Sequence, residues 1–110
     1  MAEIPLQTVG PAGVILTEGA AAAGDTAQVG ANKFLIVENN SGASITVTVA
    51  VPGQDQFGNN TPDLAVPILA GKTAVIPLQS VFGDPAASIP GQAVITYSAT
   101  ATVVRSVIAV

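Results

Sequence analysis

The stretch SITVTVAV at residues 44–51 limits the fold of this chain more than any other feature of its sequence. Apolar side chains at Ile45, Val47, Val49 and Val51 alternate with hydroxyl or small side chains between them. Because successive side chains of a strand point to opposite faces of a sheet, the alternation predicts a strand with one buried face. Residues 17–30 contain four consecutive alanines, but glycines bracket them and no apolar stripe is present. We expect a loop or short strand there, not a helix.

Further strand patterns follow one another along the chain, separated by turn-forming glycine, proline, asparagine and serine. They are residues 14–17, 33–39, 72–79, 93–99 and 102–110, with a short edge strand near 64–69. The sequence NNSGA at 39–43 has the residues that favour a hairpin connection. The valine-rich residues 107–110 predict that the sequence ends inside a sheet.

Short strands joined by turns predict one all-β domain spanning residues 1–110. Its expected form is an antiparallel β-sandwich, Ig-like or jelly-roll-like, or a small barrel. Residues 1–12 are a candidate N-terminal arm. Residues 52–71 are expected to form a long loop, because Pro62 and Pro67 each remove a backbone donor that a sheet would use.

The sequence is poor in charge. Hydrophobic residues make up 49% of it and charged residues 9%, whereas about 25% charged residues is usual. Either small polar side chains suffice to keep such a domain in solution, or another protein covers part of its surface in an assembly. With three Lys and Arg residues and a net charge of −4, the chain is not expected to bind nucleic acid.

The sequence offers few groups that could perform catalysis. It lacks histidine and cysteine, so the commonest proton carrier and the thiolate nucleophile are both missing. The seven carboxylates are scattered, mostly beside glycine, asparagine or proline, where carboxylates cap turns. The oxygen-rich residues 55–63 do not have the ligand spacing of an EF-hand calcium loop. We therefore expect no enzyme, no metal, no cofactor and no small-molecule substrate.

The aromatic residues and the termini give further expectations. Phe34, Phe57, Phe82 and Tyr97 are expected in the core, with the Tyr97 hydroxyl able to bond a loop carbonyl. Residues 1–10 lack the basic start and apolar core of a secretory signal, so no export by a signal peptide is expected. Arg105 and several hydroxyls interrupt the apolar residues 93–110, which argues against a membrane helix and a membrane partner.

Three stretches together resemble a group of small proteins of tailed bacteriophages and prophages. They are KFLIVENNSGASITVTVAV (33–51), AGKTAVIPLQSVFGDPA (70–86) and GQAVITYSATATVVRSVIAV (91–110). The shared layout is a strand, an Asn/Ser/Gly turn and a Thr/Val-alternating strand, then an Ala-Gly-x-Thr segment before a strand, then a VTYS-like stretch and a valine-rich terminus. Proteins of this group are thought to be capsid accessory or head decoration proteins.

The resemblance implies a structural virion protein that binds the outer surface of a phage head and stabilises the capsid. The implied partner is the major capsid protein, the implied location is the capsid exterior after synthesis in the host cytoplasm, and the chain would form a small homo-oligomer such as a trimer. Alternatives are a tail or head–tail joining protein, or a glycan-binding or adhesion module.

No catalytic motif comes with this resemblance, so contact residues are predicted from the loops. Phe57 and Phe82 single these loops out, because an aromatic residue in a polar loop is either tucked beneath it or offered to a partner. Ordinary solvated connections are the alternative interpretation of the same loops. The N-terminal residues 2–9 are a further candidate. The predicted contacts are Gln54, Asp55, Phe57, Asn59, Asn60, Leu64, Val81, Phe82 and Asp84.

Overall fold

Two β-sheets make up the regular structure of the chain. The computed structural model describes residues 2–52, 57–59, 62–84 and 90–110. Sheet I contains, from edge to edge, β1 (Ala2–Glu3), β4 (Asp25–Ala27), β9 (Ala93–Tyr97), β6 (Ile45–Val49) and β7 (Leu64–Ile68). Sheet II contains β2 (Leu6–Thr8), β10 (Val103–Ala109), β5 (Lys33–Asn39) and β8 (Thr73–Pro77), and β3 (Gly19–Ala20) also pairs with β10.

The core lies between the two sheets. The alternating stretch at 44–51 forms β6, and its Ile45, Val47 and Val49 side chains are buried while the threonines between them are partly exposed. Sheet II contributes buried side chains from β5 and β10, including Leu35 and Val107, to the same cluster. Each such side chain contributes about 1.5–3 kcal/mol when fully removed from water. The all-β prediction, as a sandwich or small barrel, is therefore confirmed.

Most predicted strands are present, but the one at residues 14–17 is wrong. Strands occupy most of each of the ranges 33–39, 44–51, 64–69, 72–79, 93–99 and 102–110, and β7 is an edge strand as expected. Residues 13–18 contain no strand. The Gln7 side chain instead takes both backbone groups of Thr17, donating to its carbonyl at 2.8 Å and accepting from its N–H at 2.8 Å. These bonds replace the ladder that a strand would need.

The connection at residues 39–43 is a crossover between sheets, so the hairpin prediction is wrong. β5 belongs to sheet II, whereas β6 belongs to sheet I. The buried Asn39 side chain donates to the carbonyls of Ala43 at 2.9 Å and Ile68 at 3.0 Å, and it accepts hydrogen bonds from the backbone N–H and hydroxyl of Ser41. The turn has residues typical of a hairpin, but the Asn39 hydrogen bonds stabilise a turn that leads into the opposite sheet.

The N-terminal strands pair with both sheets. β1 lies parallel to β4 in sheet I, and β2 lies parallel to β10 in sheet II. Ile4, between them, is 2% exposed and belongs to the core cluster. At the other end of the chain, β10 lies between β5 and the short strands β2 and β3, which confirms that the sequence ends inside a sheet.

The alanine-rich residues 17–30 contain two short strands, β3 and β4, which is one of the two forms predicted for them. β3 belongs to sheet II and β4 to sheet I, so this segment also crosses between the sheets. Among the described residues, no helix combines the length and apolar character needed to cross a bilayer.

Candidate functional site

Strand directions bring the predicted contact loops to one end of the molecule. The short turn 39–43 joins the last residue of β5 to the first residue of β6 and lies at one end of the molecule. The start of β5 and the finish of β6 therefore both lie at the opposite end. β8 finishes beside the start of β5, because Phe34 pairs with Pro77, and β9 starts beside the finish of β6. The connections 50–63 and 78–92 therefore leave the sheets at the same end. We call these two connections the loop end.

The described contact candidates at the loop end differ in exposure. Phe57 is 79% exposed, so the core position expected for it is wrong. Val81 and Asn59 are also exposed. Phe82 is buried and packs in the core, and Leu64 is partly buried against the same cluster. Gln54, Asp55 and Asn60 lie outside the described residues.

Hydrogen bonds anchor the base of the loop end. The Asp63 carboxylate accepts a 2.9 Å bond from the Val51 N–H, which joins the two sides of the 50–63 connection. In the second connection, a 3₁₀ turn at Ser80–Phe82 is followed by Asp84, whose N–H donates to the Gln92 carbonyl at 3.0 Å. Gly83 lies so close to the Gly91 carbonyl that a Cβ would come within 2.9 Å of it, so glycine is needed there. Val81 is therefore presented from an anchored turn.

A buried cluster of three polar side chains joins the sheets elsewhere. Asp25 on β4 accepts bonds from Arg105 Nε on β10 at 2.9 Å and from the Tyr97 hydroxyl on β9 at 2.8 Å. Arg105 Nη2 lies 3.3 Å from the other carboxylate oxygen. The hydroxyl of Tyr97 thus bonds a carboxylate, not the loop carbonyl we expected. Asp25 also accepts from the Ala22 N–H, so it combines a turn cap with a buried ion pair.

The electrostatics of this cluster favour a structural role. Burial, together with the hydrogen bond and negative charge of Asp25, raises the pKa of Tyr97 well above its ordinary value of 10.0. Burial opposes the charge of Arg105, but hydrogen bonding and attraction from Asp25 outweigh it and raise the pKa of the guanidinium. Neither group therefore exchanges a proton near neutral pH, which is what general acid–base catalysis requires.

The sequence contains one signal for this cluster that our predictions did not use. Arg105 is a lone cation in an otherwise apolar strand, and a charge in such a strand needs a buried partner. Asp25 follows Gly24 and therefore has the pattern of a turn residue. Nothing in the sequence identifies which of the seven carboxylates would reach Arg105, because that contact joins residues 80 positions apart.

A pocket of about 300 Å³ opens beside the cluster, at the edge of β10. Both β2 and β3 pair with β10 beside the pocket. Arg105 lines it, and Gly19 passes so close to Arg105 Nη1 that any larger residue there would require the guanidinium to shift. The remaining lining residues are Ile4, Pro5, Gln7, Thr17 and Glu18.

The outer faces of the two sheets differ in chemistry. Sheet I presents hydroxyl side chains, with Thr46 and Thr48 on β6 and Thr96 beside them on β9. Sheet II presents a surface that we call the apolar face, because strand alternation and cross-strand pairing place six apolar side chains on it. They are Phe34, Ile36, Val75, Pro77, Val104 and Ile108.

No known protein family matches the chain, and no curated protein or solved structure matches it either. Its fold and surfaces define a small all-β domain with two packed sheets, an anchored loop end and one apolar outer face. The functional interpretation therefore depends on the chain's own residues and their arrangement.

Proposed function

We propose that this chain is a structural, non-enzymatic protein that binds the outer surface of a tailed-phage head, as a capsid decoration protein. The resemblance of residues 33–51, 70–86 and 91–110 to small phage proteins supports this proposal. The arrangement of the loop end supports it independently, because a protein that binds a preformed shell needs contacts grouped on one side.

The observation that carries the proposal is the joint exposure of Phe57 and Val81 at the loop end. They come from connections more than 20 positions apart in sequence, yet strand direction places both at the same end. Exposed aromatic side chains are frequent energetic centres of protein interfaces. In a chain with only 9% charged residues, such a grouping fits a protein partner better than a solvated surface.

The polar groups of the core also fit a structural role. The carboxylate of Asp25 is occupied by three side-chain or backbone donors, and the pKa of Tyr97 is raised away from neutrality. A catalytic group needs a proton or lone pair available to a substrate. In this cluster the carboxylate, the hydroxyl and the guanidinium instead bond to one another across the two sheets.

Binding would stabilise the head by mass action. A protein that binds only the assembled, expanded shell adds its binding free energy to that state and disfavours loss of subunits. The partner in this proposal is the major capsid protein. A trimer or another small oligomer around a symmetry axis would repeat the loop-end contact on neighbouring capsid subunits.

The proposal is tested by adding the purified protein to expanded phage heads that lack it and to unexpanded shells, then pelleting the particles. We expect saturable binding to expanded heads, with a number of bound copies per head that is set by icosahedral symmetry. Phe57→Ser should weaken binding at least about tenfold, which corresponds to ~1.4 kcal/mol. Its melting temperature should change only slightly, because the side chain is 79% exposed.

Leu69→Ser is the matched control. Leu69 is also an exposed apolar residue, but it follows β7 at the opposite end of the molecule, so its loss should leave head binding unchanged. Absence of binding to either shell would contradict the proposal and favour a tail component, or a glycan-binding module if the chain is retained on a glycan column. A large drop in melting temperature for Phe57→Ser would contradict its role as a contact.

A further inference from the structure

The apolar face of sheet II spans three strands, and on β10 the nearly fully buried Ser106, which pairs with Ile36, lies between Val104 and Ile108. Ile108 pairs with Phe34, which pairs with Pro77, and in the next row Ile36 pairs with Val75. Val75 is 62% exposed, and Phe34, Ile36, Val104 and Ile108 are each partly exposed. An exposed grouping of apolar side chains of this kind indicates an interaction site.

Negative charge borders this face on one side. Glu38 follows Ile36 on the outer face of β5 and pairs with Val104, which also pairs with Ala20. Glu18, two residues before Ala20, lies beside Glu38. Desolvation, followed by the charge of Glu38 and a hydrogen bond with it, raises the pKa of Glu18. The two carboxylates therefore form an acidic margin along the apolar face.

The dimensions of the face restrict what can cover it. Strands about 4.8 Å apart and residues about 3.3 Å apart give a surface of roughly 15–20 Å in each direction, or roughly 300 Å². A stable complex of two folded domains usually buries about 800 Å² on each partner. A single helix is about 10–12 Å wide and would fit within the face. A second copy of this chain is disfavoured by area and by its net charge of −4.

We infer that the apolar face is a docking site for a basic amphipathic segment of a partner protein, which places apolar side chains over Ile36 and Val75 and a Lys or Arg beside Glu18 and Glu38. The apolar contacts supply affinity, and the cation neutralises two carboxylates that otherwise repel each other. The loop end is not involved, so this inference and the proposed function can fail separately.

The test uses two synthetic amphipathic helical peptides that share a leucine face and differ in carrying lysine or glutamate on the polar face. Binding to the full chain is measured by titration at low salt, and the site is mapped by amide chemical-shift changes. We expect the lysine peptide to bind at least about tenfold more tightly, with shifts centred on β5 and β8. Added salt should reduce this preference.

Two variants separate the apolar and charged contributions. The double substitution Glu18→Gln with Glu38→Gln should abolish the preference for the lysine peptide while leaving the fold intact, since Glu18 is exposed, Glu38 is partly exposed and glutamine has nearly the same shape as glutamate. Val75→Thr should weaken binding of the lysine peptide several-fold. Val94→Thr is its matched control, because Val94 lies on β9 at the outer face of sheet I. The same Val-to-Thr change in a strand alters strand propensity in the same way.

Three results would overturn the inference. One is equal binding of the two peptides, or no binding of either. Another is a shift map centred away from the apolar face. The third is self-association in sedimentation experiments that Val75→Thr removes and Val94→Thr does not, because a second copy would then be the occupant.

Discussion

A charged pair between two sheets stabilises a protein only when both partners are present. Asp25 and Arg105 are nearly inaccessible to water, and they face each other from opposite sheets. Their attraction offsets the desolvation of each charge, but removing one partner leaves the other buried without compensation. Tyr97 adds a third contact on the same carboxylate. The cluster fixes the position of sheet I relative to sheet II.

We predict that Arg105→Leu alone or Asp25→Leu alone lowers the free energy of unfolding by about 3–5 kcal/mol. The double variant should recover most of that loss, because two leucines leave no buried charge. Tyr97→Phe should lower it by only about 1 kcal/mol, since the carboxylate keeps its bonds to Arg105. Urea unfolding of the four variants measures these values. Single variants that lose less than the Tyr97→Phe control would contradict a stabilising role for the ion pair.

At the scale of elements, the turn after β5 decides which sheet the next strand joins. The Asn39 side chain bonds to the Ser41 N–H and the Ala43 carbonyl within this turn and also to the Ile68 carbonyl of β7. A carbonyl buried without a donor costs about 1–3 kcal/mol. The Asn39 side chain therefore stabilises both the crossover and the end of the edge strand β7.

We predict that Asn39→Ala lowers the free energy of unfolding by about 1–3 kcal/mol, because the Ile68 carbonyl loses its Asn39 donor, whereas the Ala43 carbonyl keeps its bond from the Ser41 hydroxyl. Asn40→Ala is the control, since Asn40 is exposed and its backbone N–H, which bonds the Thr102 carbonyl at 3.0 Å, remains. Chemical denaturation of both variants measures the difference. Equal stability of the two variants would show that the crossover does not depend on the Asn39 side chain.

Local patterns predict elements well where side-chain alternation is strong and poorly where a distant partner decides the outcome. Ile45, Val47 and Val49 alternate so regularly that their burial follows from sequence alone. Residues 14–17 also have a strand pattern, but the Gln7 side chain binds Thr17 and no ladder forms. The turn at 39–43 has hairpin residues, and its sequence does not show that β5 and β6 lie in different sheets.

At the scale of the whole molecule, local sequence patterns also predict only part of the candidate site. The sequence singles out Phe57 and Phe82, but burial of one and exposure of the other depend on packing. The apolar face has a sequence signal that our predictions did not use, because FLIV at 34–37 is apolar at every position and such runs are typical of strands covered on both faces. The meeting of the two loops at one end follows only from the strand order.

Ile4 is a single buried residue between β1, which belongs to sheet I, and β2, which belongs to sheet II. We predict that Ile4→Ala lowers the free energy of unfolding by about 2–4 kcal/mol, because it opens a cavity where β1 and β2 diverge. Ile15→Ala is the matched control, since Ile15 is 92% exposed and its loss should change stability by less than about 0.5 kcal/mol. Thermal unfolding of the pair measures the contrast, and a small effect at Ile4 would contradict the central role of this residue.

The parallel pairing of β2 with β10 also sets an order of events during synthesis. Leu6–Thr8 align with Val107–Ala109, so the first of these segments leaves the ribosome long before its partner exists. Until β10 emerges, β5 lacks a neighbour on one side and β2 has no strand to pair with. Folding of this domain is therefore expected to finish only after β10 has been made, and to be slow for a chain of this length, because its last contacts close its longest loop.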